Sequence, residues 1–429
     1  MIHPHTLPNL VFADENGEIT DFDDLKMVGM SNGQFYKPRL EDIIPLPEGS
    51  ELFALPGRLP IAWEPDEGEP VLLEANPYTP EEGLQAVAAF MSPAHTSIYT
   101  SAYQTEEGAP TLPLFAYTAV GWLDDRFWVA AFRSDPDTRQ DFENVKQVTL
   151  EKKTQKKLQE SRDNRLIQHI GKCCLTYGCP AAKNYFLGRW EAPLPTSPVC
   201  NARCLGCISL QESGECPSTQ DRLSFVPTPA EISELAIAHI IAAERPIVSF
   251  GQGCEGEPLM QADTIGKAIK RIRAATPLGT INLNSNASLP DSIQHLIECG
   301  LDSLRVSMNS AQEKYYNNYY RPKGYTFSDV KQSIVNMKNA GRFVSLNYFI
   351  LPGITDSEDE FKAFCAFLHE KEPDFIQLRN LNMDPEWYLS EIGFDKNAKT
   401  MGIPNWLAAL KKEFPKLRFG YFNPFLPEF

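Results

Sequence analysis

A chain of 429 residues with a formal charge of −16 is long enough for roughly two or three domains, and 42% of it is hydrophobic, ample for a sizeable core. The acid excess argues against broad electrostatic binding to nucleic acid or an anionic membrane surface, leaving at most a local basic groove. No apolar run approaches the about 18 residues needed to span a bilayer, and nothing after Met1 reads as a basic region followed by an apolar secretory stretch.

Residues 1–150 are rich in proline and aromatic side chains. The stretches 114–120 and 127–132 read as short strands, joined by a hairpin with Asp124-Asp125 in its turn, so a β-rich accessory domain is expected. Residues 151–172 are charged and free of proline and predict a helix. It opens a linker, 151–189, that carries Cys173, Cys174 and Cys179.

From about residue 190 short apolar runs alternate with amphipathic segments, the pattern of βα units. Strands are predicted over 190–196, 246–250, 280–283, 304–308, 342–350 and 374–378. Thr228-Pro-Ala-Glu231 is a capping box with proline at the first helical position, and Ile232, Leu235, Ala236 and Ile240 make the buried face of the helix it opens. Further helices are predicted over 262–275, around Ile293, Leu296 and Ile297 up to Gly300, around Val330, Ile334 and Met337 up to Gly341, and around Phe361, Phe364, Cys365 and Leu368. Six such units are too few for a closed eight-fold barrel and predict a partial (β/α)6 TIM-type barrel over 190–385, followed by a C-terminal extension over 386–429. Such sheets place their sites at the C-terminal ends of the strands.

The loop after the first of these strands reads Cys200-Asn-Ala-Arg-Cys204-Leu-Gly-Cys207, a C-x3-C-x2-C run. With ten cysteines and no secretory signal, a reducing, cytoplasmic compartment is expected, with metal binding favoured over disulfides. Three thiolates are one short of a closed zinc site or an ordinary [4Fe–4S] site, so a cubane held here keeps one iron open for chemistry. Adding Cys216 gives a four-thiolate zinc set as the alternative. Other strand ends on the same face carry polar residues: Gly251-Gln-Gly-Cys-Glu-Gly256-Glu257-Pro258, Asn284-Ser285-Asn286-Ala287 and Val306-Ser307-Met308-Asn309-Ser310.

In these segments the chain resembles the radical SAM superfamily, over roughly residues 190–385. The resemblance implies that Cys200, Cys204 and Cys207 bind a [4Fe–4S] cluster whose open iron chelates S-adenosylmethionine. Gly256-Glu257-Pro258 is similar to the end of the family's G-G-E-P segment, which binds the methionine ammonium. Ser285-Asn286 and Ser307 with Asn309 are similar to two further strand ends that line the same site. Tyr320-Arg321-Pro322, Phe327 and Leu351-Pro-Gly-Ile-Thr-Asp356 follow the spacing of members that resemble activating and cofactor-maturation enzymes. The implied reaction is reductive cleavage to a 5′-deoxyadenosyl radical, which abstracts hydrogen from a small molecule or peptide. It requires a low-potential donor of flavodoxin or ferredoxin type, with neither nucleic acid nor membrane as expected partner. Two departures stand out: Gly206 replaces the usual aromatic before the third cysteine, and Glu255-Gly256 replaces G-G.

Cys173, Cys174, Cys179 and Cys216 form a possible auxiliary iron–sulfur set, against the plainer reading of buried thiols. Tyr315, Tyr316, Tyr319 and Tyr320 read as a packing face, and His239 as structural. Two readings without radical chemistry remain at this stage, a zinc-stabilised binding module and an iron–sulfur electron-transfer protein.

Overall fold

The computed structural model describes residues 5–138, 141, 146–212 and 214–428, so the first four residues of the N-terminal stretch read above lie outside the described part. Up to Arg133 the described chain is built of strands, apart from the 3-10 turn Leu40–Asp42. They form an eleven-stranded sheet, antiparallel in its pairings, and a small three-stranded one. The expected hairpin is present as Val120–Leu123 paired with Arg126–Arg133, and Asp124 and Asp125 both take positive φ (53° and 55°). That backbone matches the twist of the flanking strands, and aspartate tolerates it better than most residues. The segment 114–119, expected to be a strand, is not one. It makes only isolated bridges at Thr118, and Leu114 is buried in the core of the following domain. Side-chain burial between two bodies has replaced ladder pairing there.

The single helix expected over 151–172 is two helices, α1 (Gln147–Glu160) and α2 (Arg165–Thr176). Asn164 separates them and caps α2, its side chain accepting from Ile167 N at 3.1 Å. Helix α3 (Pro180–Leu187) follows, with Gly188 (φ 70°) ending it in the left-handed region.

Numbering only the strands of the second sheet, β1 (Glu191–Pro193), β2 (Ile247–Phe250), β3 (Thr280–Ser285), β4 (Ser303–Met308), β5 (Phe343–Ile350), β6 (Phe375–Asn380) and β7 (Arg418–Gly420) pair in chain order, all parallel. Seven strands thus stand where six were expected. The seventh comes from the C-terminal extension, and Arg418-Phe-Gly420 is too short and too polar to announce itself. The connecting helices are α4 (Pro229–Ala242), α5 (Ala262–Ala275), α6 (Pro290–Cys299), α7 (Glu313–Tyr320), α8 (Phe327–Asn339), α9 (Glu358–Lys371), α10 (Pro385–Ile392) and α11 (Ile403–Glu413). The Thr228 capping box is formed, with Glu231 N donating to Thr228 Oγ1 at 3.2 Å and Thr228 N to Glu231 Oε2 at 2.7 Å. Gly300 (φ 109°) and Gly341 (φ 65°) sit at helix ends as expected.

Successive residues of a strand face opposite sides. On β4, Leu304, Val306 and Met308 are fully buried in the apolar core, while Ser303, Arg305 and Ser307 line the inner face. That inner face is a polar network. Ser303 Oγ donates to Asn282 Oδ1 (2.7 Å), Asn282 Nδ2 to Ser249 Oγ (3.1 Å), and Gln377 Nε2 to Asn423 Oδ1 (2.8 Å). Asn423, from the C-terminal segment, also donates to Glu191 Oε1 at 2.8 Å.

The N-terminal sheet docks on the barrel through specific polar contacts. Asn380, at the end of β6, accepts from Ser97 N (2.9 Å) and donates to His95 O (3.1 Å). Arg58 and Asp384 form a buried ion pair at 3.0 Å, each side chain only 3% exposed.

Candidate functional site

The loop after β1 is held in place before it reaches its cysteines. Glu255, fully buried after β2, accepts four backbone N–H groups. Those of Thr196 (2.7 Å) and Ser197 (2.8 Å) reach one oxygen, those of Gly251 (2.8 Å) and Gln252 (2.7 Å) the other. One carboxylate therefore ties the β1 loop to the β2 loop. Burial pushes Glu255 up to about 7, while those four donors pull the other way. The loops also touch directly, with Gly256 N donating to Ser197 O (2.7 Å) and Glu257 N to Val199 O (2.9 Å). A Cβ on Gly256 would lie 2.1 Å from Val199 O, so only glycine permits this approach.

Cys200, Cys204 and Cys207 then follow, half-buried, with free thiols. Burial, then the Cys207 and Cys200 sulfurs, holds the Cys204 thiol well above its usual range, and burial pushes Cys200 up to about 11. Arg222 brings a cation to the group, its Nη2 donating to Cys207 Sγ at 3.3 Å. The far side of the loop hangs on the end of α7, where Arg203 N donates to Tyr320 O (2.9 Å) and Leu205 N to Tyr319 O (3.1 Å).

Glu257, Ser285 and Asn286 are brought together. Ser285 Oγ (2.6 Å) and Leu259 N (3.0 Å) reach Glu257 Oε1, and Asn286 N (2.9 Å) reaches Oε2. Glu257 thus also caps the 3-10 turn Pro258–Gln261, with Pro258 at its first position. A carboxylate has about four lone-pair sites, so Oε2 keeps one free. Asn286 Nδ2 donates to Asn201 Oδ1 at 2.9 Å, inside the cysteine loop. The chain Asn201–Asn286–Glu257–Ser285 therefore links the ends of β1, β2 and β3.

Ser307 lies on the inner face of β4, opposite Asn347 of β5. Asn309 is turned to α7 and α10, donating to Tyr315 O (3.1 Å) and Tyr388 Oη (3.2 Å), and its buried Oδ1 has no partner. Tyr316, Tyr319 and Tyr320 are buried and packed ring on ring, as a packing face should be. They also account for Gly206: a Cβ there would meet Tyr319 Oη at 2.9 Å. An aromatic supplied by α7 occupies the space next to the third cysteine. His239 is buried against Trp190 O (2.8 Å), a structural role.

The four cysteines read as a possible auxiliary set, against buried thiols, have different surroundings. Cys216 sits elsewhere, its thiol under the influence of Glu215 and Asp384, and Cys174 points to Thr154 Oγ1 at 3.6 Å. Cys173 instead meets His169 and Cys254. The spacing within 173–179 gave no hint of this, because Cys254 lies on another loop.

Sequence reasoning also missed Glu255, Asn201, Arg222, Arg305 and Arg379. The last two share a single acceptor inside the barrel, Gln377 Oε1, at 3.2 and 3.4 Å, and the Nε of each lacks a partner. Burial, then Arg379, pushes Arg305 down to about 9. Elsewhere, a cleft of about 720 Å³ lies at the opposite end of the strands, lined by Arg273, Asp302, Lys338, Arg342 and Asp374. These charges already pair with one another.

No helix of the described residues is long and apolar enough to cross a membrane. Among curated proteins, the chain is 24% identical over 194 residues to GTP 3′,8-cyclase of Streptomyces coelicolor, covering 44% of this chain and 52% of that one. It is 22% identical over 218 residues to the FeMo cofactor biosynthesis protein NifB of Klebsiella pneumoniae, covering 45% and 46%. The chain thus spans about half the length of the curated relatives it matches. Among solved structures it is similar to native anSMEcpe with bound AdoMet (19% identity, TM-score 0.34, 45% of this chain and 52% of that one). It is also similar to Streptococcus suis SuiB bound to its precursor peptide SuiA (11%, TM-score 0.39, 59% and 52%). Residues 194–365, the span from the end of β1 into α9, match the family model described as the Radical SAM superfamily.

Proposed function

We propose that the protein is a radical SAM enzyme in which Cys200, Cys204 and Cys207 hold a [4Fe–4S] cluster. Gly256, Glu257, Pro258, Ser285, Asn286, Ser307 and Asn309 line the S-adenosylmethionine site. The observation that carries this is the Asn201–Asn286–Glu257–Ser285 hydrogen-bond chain, which joins the three-cysteine loop to an acid with one free lone pair. The donor set fits the groups, three soft sulfurs for iron and a buried carboxylate for an ammonium. When bound, the reduced cluster and S-adenosylmethionine supply an electron and a 5′-deoxyadenosyl radical that removes a hydrogen atom from substrate. The protein's own work is to bind, orient and exclude water. Gly256 lets the loops close, Glu257 takes the ammonium, and the polar lumen receives substrate. Arg305 and Arg379 favour a substrate with a carboxylate or phosphate group, whether small molecule or peptide. The electron comes from a low-potential donor protein. The test is anaerobic reconstitution followed by assay for 5′-deoxyadenosine: product is expected from the wild type and none from Cys200→Ala, Cys204→Ala or Cys207→Ala. Product persisting in those variants would overturn the assignment.

A pH dependence follows. Burial pushes Glu257 up to about 7, so below that pH the free protein carries a proton there that ammonium binding must expel. Affinity for S-adenosylmethionine is expected to weaken by up to about tenfold per unit as the pH falls below about 7. Glu257→Gln should remove the slope and weaken binding by about 10–100-fold, the worth of a charge-assisted hydrogen bond. Equilibrium dialysis across this range measures both; an unchanged slope in the variant would assign the proton elsewhere.

A further inference from the structure

The residues His169, Cys173 and Cys254 converge outside the site just described. His169 and Cys173 stand four apart on α2, hence on one helix face, with His169 Nε2 3.7 Å from Cys173 Sγ. Cys254 comes from the loop after β2, and the three ligand atoms all lie within 4.8 Å of one another. Both cysteines are buried, and the histidine is half-buried at the edge.

We propose that these three side chains bind a single thiophilic metal ion of the zinc class, separate from the Cys200 cluster. The spacing is the physical argument. Around one tetrahedral zinc, with Zn–S near 2.3 Å and Zn–N near 2.0 Å, neighbouring ligand atoms are about 3.5–3.8 Å apart. The cysteines of a cubane stand farther from each other than this set allows. Two thiolates and an imidazole are the donors a zinc-class ion prefers over calcium or magnesium. The fourth position is left to water or an incoming ligand; Cys179, whose backbone N–H donates to Cys173 O (3.1 Å), is not among the three converging groups. A comparable pair elsewhere lacks a third donor: His295 Nε2 lies 3.7 Å from Cys299 Sγ at the end of α6, and no other metal-type group joins it among the described residues.

Bound metal would cross-link α2 to the loop that carries Glu255 and Glu257. It would thus brace the β2 loop from behind. This assignment does not depend on the radical SAM reading, because the two thiol groups are tested apart.

The experiment uses the full chain with Cys200, Cys204 and Cys207 all replaced by alanine, purified anaerobically. Elemental analysis is expected to find about one zinc per chain. Cobalt substituted for it should give tetrahedral ligand-field bands and a thiolate charge-transfer band. Cys173→Ser, Cys254→Ser and His169→Gln should each weaken the metal more than tenfold, while Cys299→Ser should not. His169 is half-buried, so its variant keeps the test informative if a cysteine variant fails to fold. No metal in the parent, metal indifferent to these substitutions, iron with inorganic sulfide in its place, or a Cys173–Cys254 disulfide formed instead would each overturn the proposal.

Discussion

Replacing Glu255 by alanine is expected to cost about 4 kcal/mol or more and to strip the protein of its cluster. Four buried backbone N–H groups converge on this one carboxylate, two from each of two loops. Each buried donor left without a partner costs about 1–3 kcal/mol, and the low end of that range already gives the figure. Glutamine does not rescue it, since its amide would turn two N–H groups toward two others; a loss of about 2–4 kcal/mol is expected for that variant. The energetic effect reads out as a lower urea midpoint at unchanged slope. The functional effect reads out as iron per chain after reconstitution, because the β1 loop that presents Cys200 loses its anchor at Thr196 and Ser197. A variant that keeps both midpoint and iron would show that the clamp is dispensable.

Breaking the Arg58–Asp384 pair is expected to have the second large effect, about 3–5 kcal/mol for either single variant, because each leaves a charge buried without its partner. Asp384 does more than pair. It accepts Leu112 N at 2.9 Å and caps α10 through Glu386 N (2.9 Å) and Trp387 N (3.3 Å). Arg58 Nη1 in turn donates to Pro56 O at 2.9 Å and to Pro110 O. One ion pair therefore fixes the N-terminal sheet to the C-terminal end of the barrel. Arg58→Met with Asp384→Leu should recover part of the loss, since the buried charge is gone, but not the cap on α10 or the Leu112 contact. A double-mutant cycle in urea measures this. Additive losses would mean that the two side chains do not act as a pair.

The sequence announced what is local. The Thr228 capping box, the helix-ending glycines at 300 and 341, and strands β2 to β6 all depend on residues within a few positions of one another. The three cysteines belong to the same class, since their spacing within one loop is their meaning. What stayed hidden depends on partners far along the chain. Glu255 reads as a departure from a glycine pair until its four donors are in place. Tyr319 reads as packing until its hydroxyl is found against Gly206. Arg58 and Asp384 stand 326 positions apart. Strand β7 is three residues long and gains its identity only by pairing with β6. Cys173 is a case of the same kind: its neighbours in the chain are Cys174 and Cys179, while its neighbours in space are one helical turn back and 81 positions ahead, by the difference of 254 and 173. The division at residues 150, 189 and 385 follows the changes in composition, and we propose it as the order of functional parts.

The measurement that bears most directly on the central claim is electron paramagnetic resonance of the anaerobically reconstituted, dithionite-reduced protein, with and without S-adenosylmethionine, and with 5′-deoxyadenosine assayed in the same samples. A [4Fe–4S]⁺ signal that changes on adding S-adenosylmethionine, together with the nucleoside, is the predicted result. A cluster signal indifferent to S-adenosylmethionine with no cleavage product, or zinc in place of iron at Cys200, Cys204 and Cys207, would contradict it.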